Sequence, residues 1–342
     1  MIEIDGSEGE GGGQILRSSL SLSVCTQQPF RITNIRANRE RPGLMRQHLT
    51  AVRAAAEICA ADVEGAELGS RAFTFRPGRV AAGDYSFDIG TAGSCTLVFQ
   101  TVLPALLSAR GASRVRITGG THNRGSPPFD FLSRSFIPVL RGMGAKVELD
   151  LASHGFYPRG GGEIRARILP AQRLGALNLV ERGASLRSYA EAYVAALPLH
   201  VGQRELEVIG RALALPREQL FLRGLSNDMG PGNAVTITLE HEHVTEVLTG
   251  FGEKGVRAED VAGQAAAEAR AYLSASAPVG EHLADQLLLP MALGEGGCFV
   301  TARATSHMHS NVIVIERFTQ RKIGIEPVPN GFAVKMGSGT VS

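Results

Sequence analysis

The sequence predicts an α/β (α+β) protein in which three repeated β/α units form a large domain, with a small α/β domain inserted between repeats two and three. Three observations carry this prediction. Arg31-Ile32-Thr33 recurs 85 residues later as Arg116-Ile117-Thr118, and Asn38 and Asn123 follow at the same offset. A third copy starts at Phe299-Val300-Thr301, where Thr301 lies 183 residues after Thr118; Gln100 to Pro104 likewise recurs 186 residues on as Gln286 to Pro290. Self-similarity at a fixed period marks stacked supersecondary units, and the two long gaps exceed one period by roughly 100 residues, the length of an insert. The composition agrees: 342 residues with 44% apolar and 20% charged side chains make a folded chain with a sizeable core.

Each element follows from local pattern. A glycine-rich stretch, Gly9-Glu10-Gly11-Gly12-Gly13-Gln14, precedes a helical segment from Gln14 to Val24. Phe30 to Thr33 alternates as a strand does. Met45, Leu49, Val52, Ala56 and Cys59 are spaced as one helix face, so a Pro-led helix is expected over 42–59, then a strand over 61–64. The second unit repeats this with a helix over 127–143 and a strand over 145–148. In the third unit, Val312 to Ile315 favour a strand by propensity, but the equivalent positions of the other copies are helical. The repeat decides for a helix, with Ser310 a candidate cap.

The insert, 182–275, reads as a strand over 186–195, a helix over 201–214 and a strand over 219–225. A turn at Gly230-Pro231-Gly232-Asn233, strands over 235–240 and 245–250 and a helix over 258–273 complete it. The large domain is then 1–181 with 276–342.

Composition narrows the function. No run approaches a membrane span, and Met1 to Asp5 lacks the basic and apolar regions of a secretory leader. Cys25, Cys59, Cys95 and Cys298 form no CxxC pair and read as buried thiols in a reducing cytoplasm. A net charge of +2 excludes a broadly basic surface, yet residues 30–53 hold Arg31, Arg36, Arg39, Arg41, Arg46 and Arg53 against Glu40 alone. Guanidinium forks suit phosphate, so this segment is a candidate anion site. The chain contains no GxxxxGK[ST] and no Lys-x-Asp-Gly, which excludes a P-loop and argues against lysine-based nucleotidyl transfer.

The glycine-rich stretch fails GxGxxG. It is either a tight turn needing positive φ or an anion cradle at a helix N-terminus, with Glu10 a hint of metal or hydroxyl contact. Thr305 to Asn311 carries two histidines. An extended segment would place His307 and His309 on one face for a metal, although no third ligand is near; otherwise they are ordinary loop imidazoles, or one is a nucleophile or base. A helix dipole beginning just after such an imidazole favours its neutral, nucleophilic form. Alignment of the copies puts Arg39, Arg124 and His307 at equivalent positions, so three loops can converge on one cleft.

Five longer motifs now match a family. Glu8 to Arg17, Arg41 to Leu49, His154-Gly-Phe-Tyr-Pro-Arg-Gly-Gly-Gly162, His282 to Gln286 and His307-x-x-Ser310-Asn311 resemble RNA 3′-terminal phosphate cyclases, in order and through nearly the whole chain. The resemblance implies ATP-dependent conversion of an RNA 3′-phosphate to a 2′,3′-cyclic phosphate through a histidine–AMP adduct and an RNA–pp–A end, with pyrophosphate and AMP released. It implies a divalent cation, Mg²⁺ or Mn²⁺. His307 falls on the nucleophile, with Arg17 and Asp285 in the catalytic set and Glu10 as metal ligand. Gln100, Pro128 and His282, Leu283, Ala284, Asp285 and Gln286 match the ATP pocket. Gln14, Arg17, Arg36, Arg39, Gln47 and His48 match contacts to phosphate and RNA end. His282 departs from the family pattern, where a tyrosine stacks on adenine. The expected partners are RNA 3′-phosphate ends, no membrane, and a homodimer as a further option; the expected location is cytoplasmic. The implied fold is similar to the repeats of enolpyruvyl transferases.

Overall fold

The structure, a computed structural model, describes residues 1–338. The first unit contains β1 (Ile2–Asp5), α1 (Gly13–Thr26), β2 (Phe30–Thr33), α2 (Arg46–Cys59), β3 (Asp62–Glu64) and β4 (Phe73–Arg76). The second contains β5 (Asp84–Asp88), α3 (Cys95–Leu107), β6 (Ser113–Gly119), a helix running from α4 (Phe129–Phe131) into α5 (Ile137–Gly142), β7 (Lys146–Ser153) and β8 (Gly162–Leu169). A third begins at β9 (Leu177–Leu179) and is interrupted by β10 (Ser185–Ala195), α6 (His200–Leu213), β11 (Leu220–Leu225), β12 (Gly232–His241), β13 (Thr245–Phe251) and α7 (Ala258–Ser274). It resumes with α8 (Glu281–Leu293), β14 (Gly297–Thr301), α9 (Ser306–Thr319), β15 (Gly324–Val328) and β16 (Gly331–Met336).

The three units share one topology. Their sheets run β1-β2-β4-β3, β5-β6-β8-β7 and β9-β14-β16-β15, each with one parallel pair at the start and antiparallel pairs after it. Because β9 pairs in parallel with β14, the inserted segment lies inside the third unit, after its first strand, and not between repeats two and three as expected. Short β9 carries no recognisable repeat string, which hid it from the period. The inserted segment forms its own sheet, β11-β10-β12-β13, with α6 and α7 packed on it around Ala190, Ile209, Val235, Ile237, Ala262 and Ala265.

Local chemistry explains the elements. Val312 to Ile315 are helical within α9, as the repeat required, because Val314 and Ile315 bury one helix face against the core. Ser310 is not the cap; Thr305 is, its side chain accepting the Met308 N–H at 3.2 Å. The 129–142 helix carries a π turn over Leu132–Phe136. Pro138 follows and offers no N–H to the carbonyl four residues back, the sort of gap at which a helix widens. Cys59 and Cys95 are buried, but Cys25 and Cys298 are only partly so; Cys298 stands opposite Lys335 on β14. Among the described residues no helix is long and apolar enough to cross a membrane.

Helices α1, α2, α3 and α9 pack on one another across the units. Phe30 of β2 is fully buried, with ring centroids 5.8 Å from Phe73, 5.8 Å from Phe75 and 5.9 Å from Phe318 on α9. It ties the first unit to the third. Phe30→Ala should cost about 3–5 kcal/mol, measured as a lowered urea midpoint; an unchanged midpoint would show that this cluster does not join the units.

Candidate active site

The glycine-rich loop and the start of α9 form the centre. Gly9 has φ +57° and Gly11 φ +60°, so the loop turns where side chains are disfavoured. A Cβ on Gly9 would overlap Ser310, and one on Gly13 would overlap His48 and Arg17. The loop therefore lies directly on α9 and on those two side chains. Ser310 Oγ accepts the Glu10 N–H at 3.1 Å and donates to Ser306 O at 2.8 Å. The loop thus presents its polar groups to the first turn of the helix.

His307 stands in that first turn, its side chain 47% exposed. Its Nδ1 is 2.7 Å from Gln14 Oε1 and 2.7 Å from Glu10 Oε2. Both partners are acceptors, so Nδ1 carries the proton and Nε2 keeps its lone pair. Gln14 is oriented in turn, its Nε2 donating to Asp285 Oδ1 at 3.3 Å. Glu10 also pairs with Arg39. Asn311 Nδ2 donates to Asp285 O at 2.8 Å, and Ser18 Oγ donates to Asn311 Oδ1 at 2.6 Å. A chain of contacts thus joins α1, α8 and α9.

The electrostatics keep the imidazoles neutral. Burial lowers the His307 pKa below its ordinary 6.5, with Glu10 pulling the other way and Arg39 adding to the fall. Burial, with Arg17 and Arg36 nearby, pushes His48 down to about 3. Burial lifts the Asp285 carboxyl to about 7 against the pull of Arg17 and the Gln14 hydrogen bond, and lowers Arg17 to about 10. Arg17 remains a cation at neutral pH.

These groups stand beside a cavity of about 1030 Å³. Gln14, Arg17, Gln100, Pro128, His282, Asp285, Gln286 and His307 all line it, as do Phe251 and Glu253 of the inserted segment. Gln100 and Gln286 side chains hydrogen-bond each other across it. Leu283 and Ala284, placed in the same pocket by sequence, are fully buried in the main core and do not line it, because successive helix positions point in different directions. Glu10, Arg36, Arg39, Gln47 and His48 lie outside the cavity lining. Arg36 (φ +54°) donates to Arg41 O at 2.7 Å and Gly43 O at 3.0 Å, so one of its nitrogens shapes its own loop. Gln47 Oε1 accepts the Ser94 N–H at 2.8 Å, joining the first unit to the start of α3. Arg124, aligned with Arg39 and His307 by the repeat, lines the cavity and pairs with Glu253. His309 is exposed and outside the lining.

Sequence reasoning gave no role to Ser18, Phe131, Phe251 or Glu253. Only tertiary packing brings them to the site, and no spacing announces it. Among the described residues no three His, Cys, Asp or Glu side chains converge as a metal cage, and Glu10 is already engaged by Arg39 and His307. The residues alone therefore do not fit a resident divalent cation.

Three repeated units and an inserted segment that together line one cavity, with His282, His307, Arg17 and Arg124 on its wall, define an α/β protein with a polar-and-apolar cleft. Residues 8–325 match the family model described as RNA 3′-terminal phosphate cyclase. The RNA 3′-terminal phosphate cyclase of Koribacter versatilis (strain Ellin345) is 55% identical over 318 residues, covering 93% of this chain and 90% of that one. That of Salmonella typhimurium is 50% identical over 336 residues, covering 98% of each. That of Ralstonia nicotianae is 54% identical over 336 residues, covering 98% of this chain and 96% of the relative. The solved enolpyruvyl transferase NikO from Streptomyces tendae superposes with a TM-score of 0.40 at 12% identity, over 99% of this chain and 48% of that one, too loosely to bear on function. The chain belongs to the RNA 3′-terminal phosphate cyclase family, a family of enzymes.

Gly9→Ala should cost about 1–3 kcal/mol through positive φ and overlap with Ser310, and should also weaken the Glu10–His307 contact. Urea denaturation checks the first, and the His307 imidazole shift by NMR the second. An unmoved imidazole would show that the loop does not position it.

Proposed function

We propose that the protein converts an RNA 3′-terminal phosphate to a 2′,3′-cyclic phosphate at the expense of ATP. The observation that carries this reading is His307, held through Nδ1–H by two acceptors so that Nε2 keeps its lone pair beside the cavity. Nε2 attacks the α-phosphorus of ATP; the bond to the bridging oxygen breaks and pyrophosphate leaves. An oxygen of the RNA 3′-phosphate then attacks the same phosphorus, frees Nε2 and gives RNA–pp–A. The 2′-hydroxyl attacks the 3′-phosphorus, loses its proton to solvent, and AMP departs.

The chain's residues divide this work. ATP occupies the space between Gln100, Pro128, His282, Asp285 and Gln286. Arg17 faces the developing phosphate charge, where a partly desolvated cation acts more strongly than in water. Asp285 orients Gln14, and Gln14 with Glu10 orients the imidazole. Arg39 and His48, beside Arg36 and Gln47, receive the RNA end. On this reading a divalent cation would be bound to the ATP phosphates, whose charge it would offset, and would not be a resident ion of the protein. Such ions are often held mostly by substrate phosphates and water.

With α-labelled ATP and Mg²⁺ or Mn²⁺, wild-type protein should carry an acid-labile AMP adduct, His307→Ala should carry none, and His309→Ala should keep it. Label on His307→Ala would refute the nucleophile. Because burial lowers the His307 pKa, the neutral form persists to lower pH, and the acid limb of adduct formation should fall below 6.5; a limb above that value contradicts the assignment. An RNA ending in a 3′-phosphate should become phosphatase-resistant only when ATP is present. Continued sensitivity would reject the cyclisation.

A further inference from the structure

The turn within His154 to Gly162 belongs to a motif that carried the family resemblance, yet the reaction above gives it no task. Its ends are fixed. Gly155 O accepts the Thr121 N–H at 2.8 Å and the His122 N–H at 3.1 Å, and Gly160 N–H donates to Phe156 O at 2.7 Å. Phe156 is buried, its ring centroid 5.6 Å from that of His122, and a Cβ on Gly232 of β12 would overlap it. Gly160, at φ +70°, lies so close to Thr91 and Ala92 that a Cβ on it would stand 2.9 Å from the Ala92 Cα. Between these anchors the turn leaves Tyr157 and Arg159 in solvent. Tyr157 is 77% exposed, and among the described residues no other Phe or Tyr ring is exposed. Arg159 is exposed too and makes no hydrogen bond or ion pair among the described residues; Asp228 is its acidic neighbour.

The neighbours of this turn lead to the residues read above as receiving the RNA end. A Cβ on Gly93 would stand 2.9 Å from the Gln47 Cβ, and Gln47 accepts the Ser94 N–H. A Cβ on Gly90 would lie 3.8 Å from a guanidinium nitrogen of Arg46, which is exposed and has no ion pair among the described residues. The Asn123 side chain bonds Ala92 O, and the adjacent Arg124 lines the cavity. The loop over 90–94 thus touches Gln47, approaches Arg46 and carries the Tyr157 turn against it. A lone exposed ring is ordinary on a protein surface. Here the ring sits on a fixed turn, beside an unpaired guanidinium and separated from Gln47 by a single loop. Single-stranded nucleic acid is held by such a pairing, in which unstacked bases lie on aromatic rings and phosphates meet cations. A turn already fixed loses little freedom on binding.

We infer that RNA upstream of the 3′-terminal phosphate runs over the 90–94 loop, with a base stacked on Tyr157 and a phosphate on Arg159. This rests on the reading of Gln47 and its neighbours as the site of the RNA end. A substrate held only by its terminus is bound equally at any length; this surface makes single-stranded length count.

The test measures, without ATP, the binding of two RNAs that end in a 3′-phosphate: a dinucleotide and a single strand of about eight nucleotides, within the span that one such site covers. Wild-type protein should bind the longer RNA more tightly. Tyr157→Ala should lose about tenfold in affinity for the longer RNA, the scale of one base–ring stack, and nothing for the dinucleotide. Tyr157→Phe keeps the ring and should keep both affinities. Arg159→Ala should flatten the slope of log affinity for the longer RNA against log salt by about 0.7, the share of one phosphate contact on a single strand. Because both side chains are exposed, the urea midpoint of each variant should match that of wild type. Equal wild-type affinities for the two RNAs, or a Tyr157→Ala loss that is the same for both, overturns the inference. If the advantage of length depends on Tyr157 but the 3′-phosphate stays open to phosphatase with ATP present, the cyclisation reading falls and the inference stands. If the phosphate becomes resistant and length brings no advantage, the inference falls and the cyclisation reading stands.

Discussion

The site depends on one long-range attachment, the seating of the loop before α1 on the first turn of α9. Glu10 N–H bonds Ser310, Glu10 and Gln14 hold His307, and Ser18 holds Asn311. These contacts join residues some 300 positions apart. Without them the imidazole would be one more surface histidine, free to rotate and to exchange tautomers. The apolar packing of α1 and α9, with Phe30 against Phe318, is what makes these polar contacts geometrically possible. Core and chemistry are thus continuous here: the same helices that bury hydrophobic faces bring the hydrogen-bonding partners into line.

The electrostatic design follows from partial burial. A cleft between units removes water from Arg17, Asp285 and His48 while leaving His307 half open. Burial acts on each group in the sense that disfavours its charge, lowering the histidines and Arg17 and raising Asp285. Only Arg17 starts so far from neutrality that it keeps its charge regardless. The cleft therefore combines neutral imidazoles with a persistent cation, a combination suited to nucleophilic attack on an anionic centre.

Much of this was legible from residues alone, because repeats leave a periodic trace. The period showed three units and an excursion, and it overruled β-propensity at Val312 to Ile315. The excursion's point of departure escaped, since β9 is three residues long and its partner β14 is far along the chain. Motif positions found His307, Gln14, Arg17 and Asp285 together at the cleft. They also gathered Leu283 and Ala284, because a contiguous motif on a helix covers faces that point both towards the cavity and into the core. Ser18, Phe251 and Glu253 had no sequence signal at all. Their significance is created by contact between elements distant in sequence, which no local pattern records.

The insertion inside the third unit has a consequence for the order in which the protein can be built. Leu177 of β9 pairs with Gly297 of β14, so each residue of β9 waits for 120 more to be added before its partner exists. At translation rates of about 5–20 residues per second that is a delay of about 6–24 s. Throughout it, β9 has no neighbour in its own sheet, while the first two units already possess all their strands. The excursion, whose sheet and helices lie wholly within the delay, has time to fold before the unit that carries it. The first strand of the third unit thus waits longest for its partner, and the cleft cannot exist before α9, which carries His307, has been made.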